Sequence, residues 1–319
     1  MKTTAIVFES PGHITSQELE LVKLQPSDVL VEIDFSGIST GTERLLWSGK
    51  MPPFPGLGYP LVPGYESVGR VIEAGDASGL ALGQLVFVPG SRSFATVQCL
   101  FGGAARHLVV AGSRAVALPP WVGEEGVLMA LAATAYHMLK APGANSAELV
   151  IGHGVLGRLL ARLSILLGEA PPTVWEEQTA RRDGAAGYTV TSAAADARKD
   201  YRAIYDVSGD SEILDQAIAR LAKGGEIVLG GFYSDRLAFS FAPAFTREAR
   251  LRVAAEFSPA DLVAVIEMVA QRHLSLEGLV THRAVPEDAQ AAYRSAFSDP
   301  LCLKMVLDWR NVLPARSRP

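Results

Sequence analysis

Cysteine is scarce in this chain: Cys99 and Cys302 are the only two among 319 residues. They lie too far apart for a local metal-binding pair and are too few for a disulfide framework, which fits a reducing cytoplasm. A basic excess is missing as well. The net charge of -5 leaves no electrostatic footprint for nucleic acid, which would need clustered Lys and Arg. No apolar run reaches membrane-spanning length, because "LLARLSILLG" is short and interrupted by Arg162. Peripheral membrane contact stays open. The opening "MKTTAIVFES" carries one Lys and a four-residue apolar stretch, so it reads as neither signal peptide nor anchor. With 49% hydrophobic and 20% charged residues, the composition excludes wholesale disorder and predicts a soluble globular protein.

The length predicts two domains. Residues 1–120 are dense in Gly and Pro, with short apolar runs such as "AIVF", "DVLVEIDFSGI", "RVIEAG" and "QLVFVPG", the pattern of a largely β domain. Within it, "WSGKMPPFPGLGYPLVPGY" has too many prolines for helix or interior strand and predicts an ordered loop with an aromatic face. Residues 121–257 form the second expected domain. After a helix over 123–140, strands "ELVIG", "TVWE", "YTVT", "AIYDVSG" and "EIVLGG" alternate with helices "VLGRLLARLSILLG" and "EILDQAIARLAKGG", and "LRVAAEF" adds a strand. That alternation predicts a doubly wound parallel sheet covered on both faces. Residues 258–319 are too short for a third domain and are expected to return to complete the first. The last ten residues read as a loose basic tail.

The second domain carries the clearest motif. "ELVIGHGVLGRLLARL" places Gly152, Gly154 and Gly157 in GxGxxG spacing, between an apolar strand and an amphipathic helix. Gly152 permits the tight turn, Gly154 lets the backbone approach a pyrophosphate, and Gly157 lets the helix pack on the strand. His153, Val155 and Leu156 complete the expected turn, and the helix N-terminus offers free N–H groups to the anion. Glu176, ending "TVWE", stands where a carboxylate accepts hydrogen bonds from the adenosine ribose and repels a 2′-phosphate, which favours NAD over NADP; Arg181 and Arg182 argue the other way. Ser208 and Gly209 in "YDVSG", and Gly231 and Phe232 in "VLGGFY", sit at further strand ends where cofactor is expected.

A mostly β first domain, a dinucleotide domain and a C-terminal return together resemble the medium-chain dehydrogenase/reductase superfamily over almost the whole chain. The resemblance implies an α/β protein with a GroES-like mostly-β catalytic domain and a Rossmann domain, often paired as a homodimer. Zinc alcohol dehydrogenases of that superfamily carry a "GIC" cysteine and a Gly-His-Glu bend. Here "SGISTGTE" has Ser39 at the cysteine's place, and "VPGYES" has Tyr65 at the histidine's place. Hydroxyls are poor zinc ligands at neutral pH, so no metal is expected. The four-cysteine lobe for structural zinc is absent too. A narrower resemblance, carried by "STGTERLLWSGKMPPFPGLGYPLVPGYES", "LFGGAARHLV", "IGHGVLGRLLARL", "YDVSGD" and "CLKMVLDW", is to the bacteriochlorophyllide a dehydrogenase family. That family oxidises the 3-(1-hydroxyethyl) group of a (bacterio)chlorophyllide to 3-acetyl with NAD⁺. The residues alone stop at an NAD-linked oxidoreductase without zinc, which leaves two other readings open: a zinc-free quinone or enone reductase using NAD(P)H, and an inert pigment- or nucleotide-binding protein.

The expected catalytic residues are those of the altered metal site: Tyr65, Ser39, Thr42 and Glu43, with Glu66 favoured as structural. Tyr65 would bond the substrate oxygen as donor or, with a lowered pKa, as proton acceptor; a buried structural tyrosine is the other reading. Glu43 would be a base or a solvated loop charge. Trp47, Phe54 and Tyr59 are expected to stack on a flat macrocycle. His137 is placed at the substrate as well, against the alternative of a core histidine.

Overall fold

The apolar runs of the first hundred residues close into two sheets. The computed structural model describes residues 1–254 and 256–311, and the chain forms two units: Met1–Ala130 together with Leu279 onward, and Leu131–Gly278. The sequence reading puts the junctions after 120 and 257, whereas the structure draws both later. Two helices account for the difference. The first boundary falls inside the helix Met129–Lys140. The helix Pro259–Ala270, opened by a capping box between Ser258 and Asp261, belongs to the second unit, where Asp261 also meets His137 at 2.9 Å.

In the first unit, a four-stranded sheet runs in the order His13–Glu20, Lys2–Ser10, Leu61–Val62, Gln98–Cys99. Leu61–Val62 is thus an interior strand inside the proline-rich stretch expected to exclude one. It is possible because it is two residues long and Pro60 and Pro63 fall just outside it. The second sheet has seven strands. Its longest, Asp28–Ile38, pairs antiparallel with Ser67–Ala74, His107–Ala111 and the returning strand Met305–Asp308. Ile6, Val7, Phe8, Val31, Ile33 and Leu307 are among the side chains of its core. The helix Ala289–Ser298 contributes Tyr293, whose ring meets Phe8 edge-on at 5.2 Å.

The second unit contains six parallel strands in the order Thr189–Thr191, Thr173–Trp175, Leu149–Ile151, Tyr201–Asp206, Leu221–Leu229, Arg250–Val253. Numbered along the chain this is the 3-2-1-4-5-6 order of the dinucleotide-binding fold. The helix expected over 212–225 is confined to Leu214–Arg220. Leu221 already pairs with Tyr201, and Gly224, at φ +74°, adopts a left-handed conformation incompatible with helix. Among the described residues no helix is long and apolar enough to cross a membrane.

Strand register decides where the first unit places its polar groups. Met305 faces Ile38, and Ser36 faces Ser67, so Lys304, Ser39 and Glu66 all lie at the same end of three neighbouring strands. There Lys304 Nζ donates to Glu66 Oε2 at 2.6 Å and to the Ile38 carbonyl at 3.3 Å, with both side chains essentially inaccessible. Gly37 makes room, since a Cβ on it would lie 2.5 Å from the Glu66 carboxylate. Removing one partner of such a pair strands a buried charge. Lys304→Ala is therefore expected to lower stability in urea unfolding by about 3–5 kcal/mol, while Lys304→Met combined with Glu66→Gln recovers most of the loss. Equal losses in the two variants would show that packing, not charge, holds this end together.

Candidate functional site

Gly64 turns the chain into the strand Ser67–Ala74 at φ +98°, and a Cβ there would lie 2.8 Å from the Ala104 amide nitrogen. The turn leaves Tyr65 half-buried beside the end of Asp28–Ile38. Its hydroxyl and Ser39 Oγ are 2.7 Å apart and share a hydrogen bond. Burial, reinforced by the Glu66 carboxylate, pushes the Tyr65 phenol up from its ordinary value, against the opposing hydroxyls of Ser39 and Thr42. The proton-acceptor role, which needed a lowered pKa, is thereby removed, and a donor remains.

Sequence reading did not anticipate the helix Thr42–Ser48, which follows Ser39 and carries Glu43 inward. Glu43 is 1% exposed, not a solvated loop charge; Oε1 accepts the Ser39 N–H at 3.3 Å, and Oε2 has no hydrogen bond of good geometry. Burial pushes its carboxyl up to about 8, with Tyr293 opposing the shift and Glu66 adding to it. Glu66 stays in its ion pair, in keeping with the structural role expected of it. Tyr293 and Lys304 are the members of this cluster that sequence reasoning missed.

The aromatic candidates separate. Phe54 is 40% exposed and meets Phe101 at 6.4 Å, and Phe101 in turn meets Tyr65 edge-on at 5.4 Å. Phe101, not singled out from sequence, is the link. Trp47 instead packs on Phe297 at 5.7 Å, and the Tyr59 hydroxyl donates to the Leu46 carbonyl, so both brace the helix Thr42–Ser48. His137 belongs to the second unit, engaged by Asp261.

Catalytic zinc takes three protein ligands. A serine hydroxyl bonded to a phenol that burial keeps protonated does not supply that set, and among the described residues no group of three or more His, Cys, Asp or Glu could hold a metal ion.

In the second unit, Gly152 turns at φ +103°, and a Cβ on Gly157 would lie 1.9 Å from the Gly152 carbonyl oxygen. Around Gly154 the space beyond an added Cβ is open, and the helix Val155–Leu166 begins with no side-chain cap. Uncapped N–H groups beside a glycine with room in front of it fit a pyrophosphate. Val155 is buried and Leu156 half-buried, so the first offers backbone rather than side chain. Glu176 accepts the His153 N–H at 3.2 Å and the Gln178 N–H at 2.9 Å. The His153 ring is fully buried behind the turn, 2.7 Å from the Arg181 carbonyl oxygen and 2.9 Å from the Tyr188 hydroxyl, so it faces away from the open side. Ser208 and Gly209 are exposed at their strand end, with Gly231 half-buried and Phe232 exposed at the next. Asp206, which the sequence reading passed over, holds the two turns. It is buried and accepts from Ser208 N–H at 3.0 Å, Ser208 Oγ at 2.7 Å and the Tyr233 hydroxyl at 2.5 Å.

The model of the alcohol dehydrogenase GroES-like domain matches residues 25–120. The 2-desacetyl-2-hydroxyethyl bacteriochlorophyllide A dehydrogenase of Cereibacter sphaeroides is 52% identical, over 97% of this chain and 99% of its own length. The protein of the same name from Rhodobacter capsulatus is 51% identical, over 98% and 99%. The chain belongs to this family. Bacteriochlorophyllide dehydrogenases of this kind fall within the medium-chain dehydrogenase/reductase superfamily. Its fold is shared by the 2R,3R-butanediol dehydrogenase of Bacillus subtilis, at a TM-score of 0.82 and 18% identity over 96% of this chain and 99% of that one.

Glu43 gives the site a testable pH signature. The folded protein holds the carboxyl proton to about 8, whereas an unfolded glutamate releases it near 4.5, so the folded state binds more protons between those values. This contribution is complete below about 4.5 and is lost as pH rises through about 8. Glu43→Gln keeps the shape without the proton, and the fall in thermal midpoint across that range is expected to flatten in the variant. An unchanged pH profile would place the raised carboxyl elsewhere.

Proposed function

We propose that this protein oxidises the 3-(1-hydroxyethyl) group of a (bacterio)chlorophyllide a to 3-acetyl, with NAD⁺ as hydride acceptor and without zinc. It is a dehydrogenase acting on a CH–OH group. The observation that carries the reading is the full-length 52% identity to a protein named for that hydroxyethyl pigment, which also favours it over a quinone reductase or an inert binder.

Oxidising a secondary alcohol removes a hydride from carbon and a proton from oxygen. When bound, NAD⁺ accepts the hydride; the remaining work falls to the chain. Tyr65, kept protonated by burial, takes the substrate oxygen into its hydrogen bond with Ser39 and holds it in place. Thr42 and Ser39 orient the phenol. Glu43, whose Oε1 accepts the Ser39 N–H beside these hydroxyls, serves as general base in its ionised form, which grows in as pH rises through about 8. The substrate itself replaces part of what zinc supplies elsewhere, because its carbinol carbon adjoins a conjugated macrocycle that spreads the positive charge developing as hydride leaves. Phe54 and Phe101 offer that macrocycle an aromatic surface leading to Tyr65.

NAD is favoured over NADP because Glu176 presents a carboxylate held by two backbone N–H groups, while the Arg182 guanidinium is turned onto the Glu176 and Glu177 carbonyl oxygens at 2.8 and 3.2 Å. The protein works in the cytoplasm, where the apolar pigment can bring it to membrane surfaces. It does so as a homodimer, supported by the open edge strand Arg250–Val253, whose Leu251 and Val253 are 42% and 77% exposed.

In an absorbance assay of metal-depleted protein with 3-hydroxyethyl (bacterio)chlorophyllide, NAD⁺ is expected to give the red-shifted acetyl product. Tyr65→Phe is expected to lower turnover by about 10²-fold while NADH binding is unchanged. Glu43→Gln is expected to lose the rise in rate as pH passes about 8. Unaltered turnover in Tyr65→Phe would remove that residue from the mechanism. For assembly, Val253→Lys is expected to convert a dimer to monomer in light scattering; a monomeric wild type would refute the dimer.

A further inference from the structure

The segment between Glu176 and the strand Thr189–Thr191 leaves the carboxyl edge of the sheet directly behind the proposed adenosine ribose site. It contains no long element, only the single turn Thr179–Arg181. It is nevertheless held by side chains from the glycine turn and the helix after it. Arg158 lies one residue beyond Gly157 and is 5% exposed. Its guanidinium donates to the carbonyl oxygens of His153 at 3.0 Å, Arg181 at 3.0 Å and Asp183 at 2.7 Å. The Arg181 carbonyl also receives His153 Nδ1 at 2.7 Å.

That contact fixes the imidazole. A carbonyl oxygen only accepts, so Nδ1 carries the hydrogen, and Nε2 is left to accept from the Tyr188 hydroxyl at 2.9 Å. Burial supports this neutral form by pulling the ring's pKa down to about 4. Gly184, at φ +81°, leaves space for the guanidinium, since a Cβ there would lie 2.5 Å from Arg158 Nη1. The same stretch of chain fixes Glu176, because the His153 and Gln178 N–H groups each take one of its two carboxylate oxygens.

We propose that Arg158, His153 and Tyr188 form a clamp that positions the Glu176 carboxylate for the ribose hydroxyls and so sets the preference for a dinucleotide without a 2′-phosphate. This rests on the reading that the second unit binds NAD. The three are positioning residues, acting through the loop rather than on the reacting atoms. The clamp works twice over. It fixes the carboxylate that a 2′-phosphate would meet, and it consumes the Arg158 charge on backbone carbonyls, so that guanidinium is not offered to the phosphate.

Fluorescence titration of the full chain with NADH and with NADPH tests this independently of pigment turnover. The wild type is expected to prefer NADH. Tyr188→Phe, which deletes one hydroxyl, is expected to weaken NADH by about fivefold, and Arg158→Met by about tenfold or more, with NADPH affected little, so the preference narrows. General loosening of the fold would weaken both cofactors by the same factor. That outcome, or unchanged binding in Tyr188→Phe, would overturn the clamp alone. If Arg158→Met does not fold, Tyr188→Phe decides. A wild type that binds neither cofactor, or prefers NADPH, would overturn the NAD reading and the clamp with it.

Discussion

A buried ion pair fixes the end of the first unit that carries Ser39 and Tyr65. Glu66 and Lys304 lie far apart in sequence, yet they meet at 2.6 Å with no access to water. A pair so desolvated is tolerated only when its geometry is tight, because attraction between the charges must offset their lost hydration. The strands supply that geometry. Lys304 precedes the partner of Ile38, and Glu66 precedes the partner of Ser36, so any slip in register would part the charges. Ser39 and Tyr65 flank the same pair and inherit its placement. The negative field of Glu66 then acts on both titratable neighbours, helping to raise Glu43 and Tyr65.

What could be read from the sequence was what chemistry writes locally. The glycine turn, the strand before it and the helix after it occupy one short segment, and its first and last glycines answer steric demands that the structure shows directly: φ +103° at Gly152 and a 1.9 Å approach at Gly157. The parallel sheet follows from the alternation of apolar runs with amphipathic helices. The substitutions Ser39 and Tyr65 were legible for the same reason, since each stands inside a short recognisable turn. Glu43 was legible as a carboxylate but not as a buried one, because the helix that turns it inward starts after a Ser-Thr-Gly segment that reads as loop.

The unread partners share a different property. Lys304 stands just ahead of a strand that joins the sheet only after the chain has built its second unit, and Tyr293 comes from a helix in the same return. A lysine in "CLKMVLDW" carries no local mark of burial; only the register identifies its partner. Asp206 was hidden by success of another kind. "YDVSG" pointed to the exposed Ser208 and Gly209, and the residue that holds them is the buried acid just before. His153 was read as a turn residue near cofactor, whereas its ring points backward, a direction that the glycine spacing does not encode.

The two polar centres use opposite electrostatics, each suited to its task. Around Tyr65 the hydroxyls are neutral, and the carboxyl of Glu43 is held near the threshold of ionisation. In the mechanism proposed, a substrate proton can therefore move without creating an unpaired buried charge, provided the acceptor's affinity for it stays close to ambient pH. Metal coordination would achieve charge stabilisation differently, by a permanent cation. In the second unit the charges are fixed instead: Arg158 is committed to carbonyl oxygens and Glu176 to backbone N–H groups. Binding a polyanionic cofactor selectively calls for such rigidity, because discrimination depends on where a charge stands as well as on its sign. The chemistry proposed at Tyr65 calls for the reverse, a proton free to change owner within a scaffold that does not move. The Glu66–Lys304 pair suits that requirement, since its two charges are committed to each other and tie neighbouring strands together.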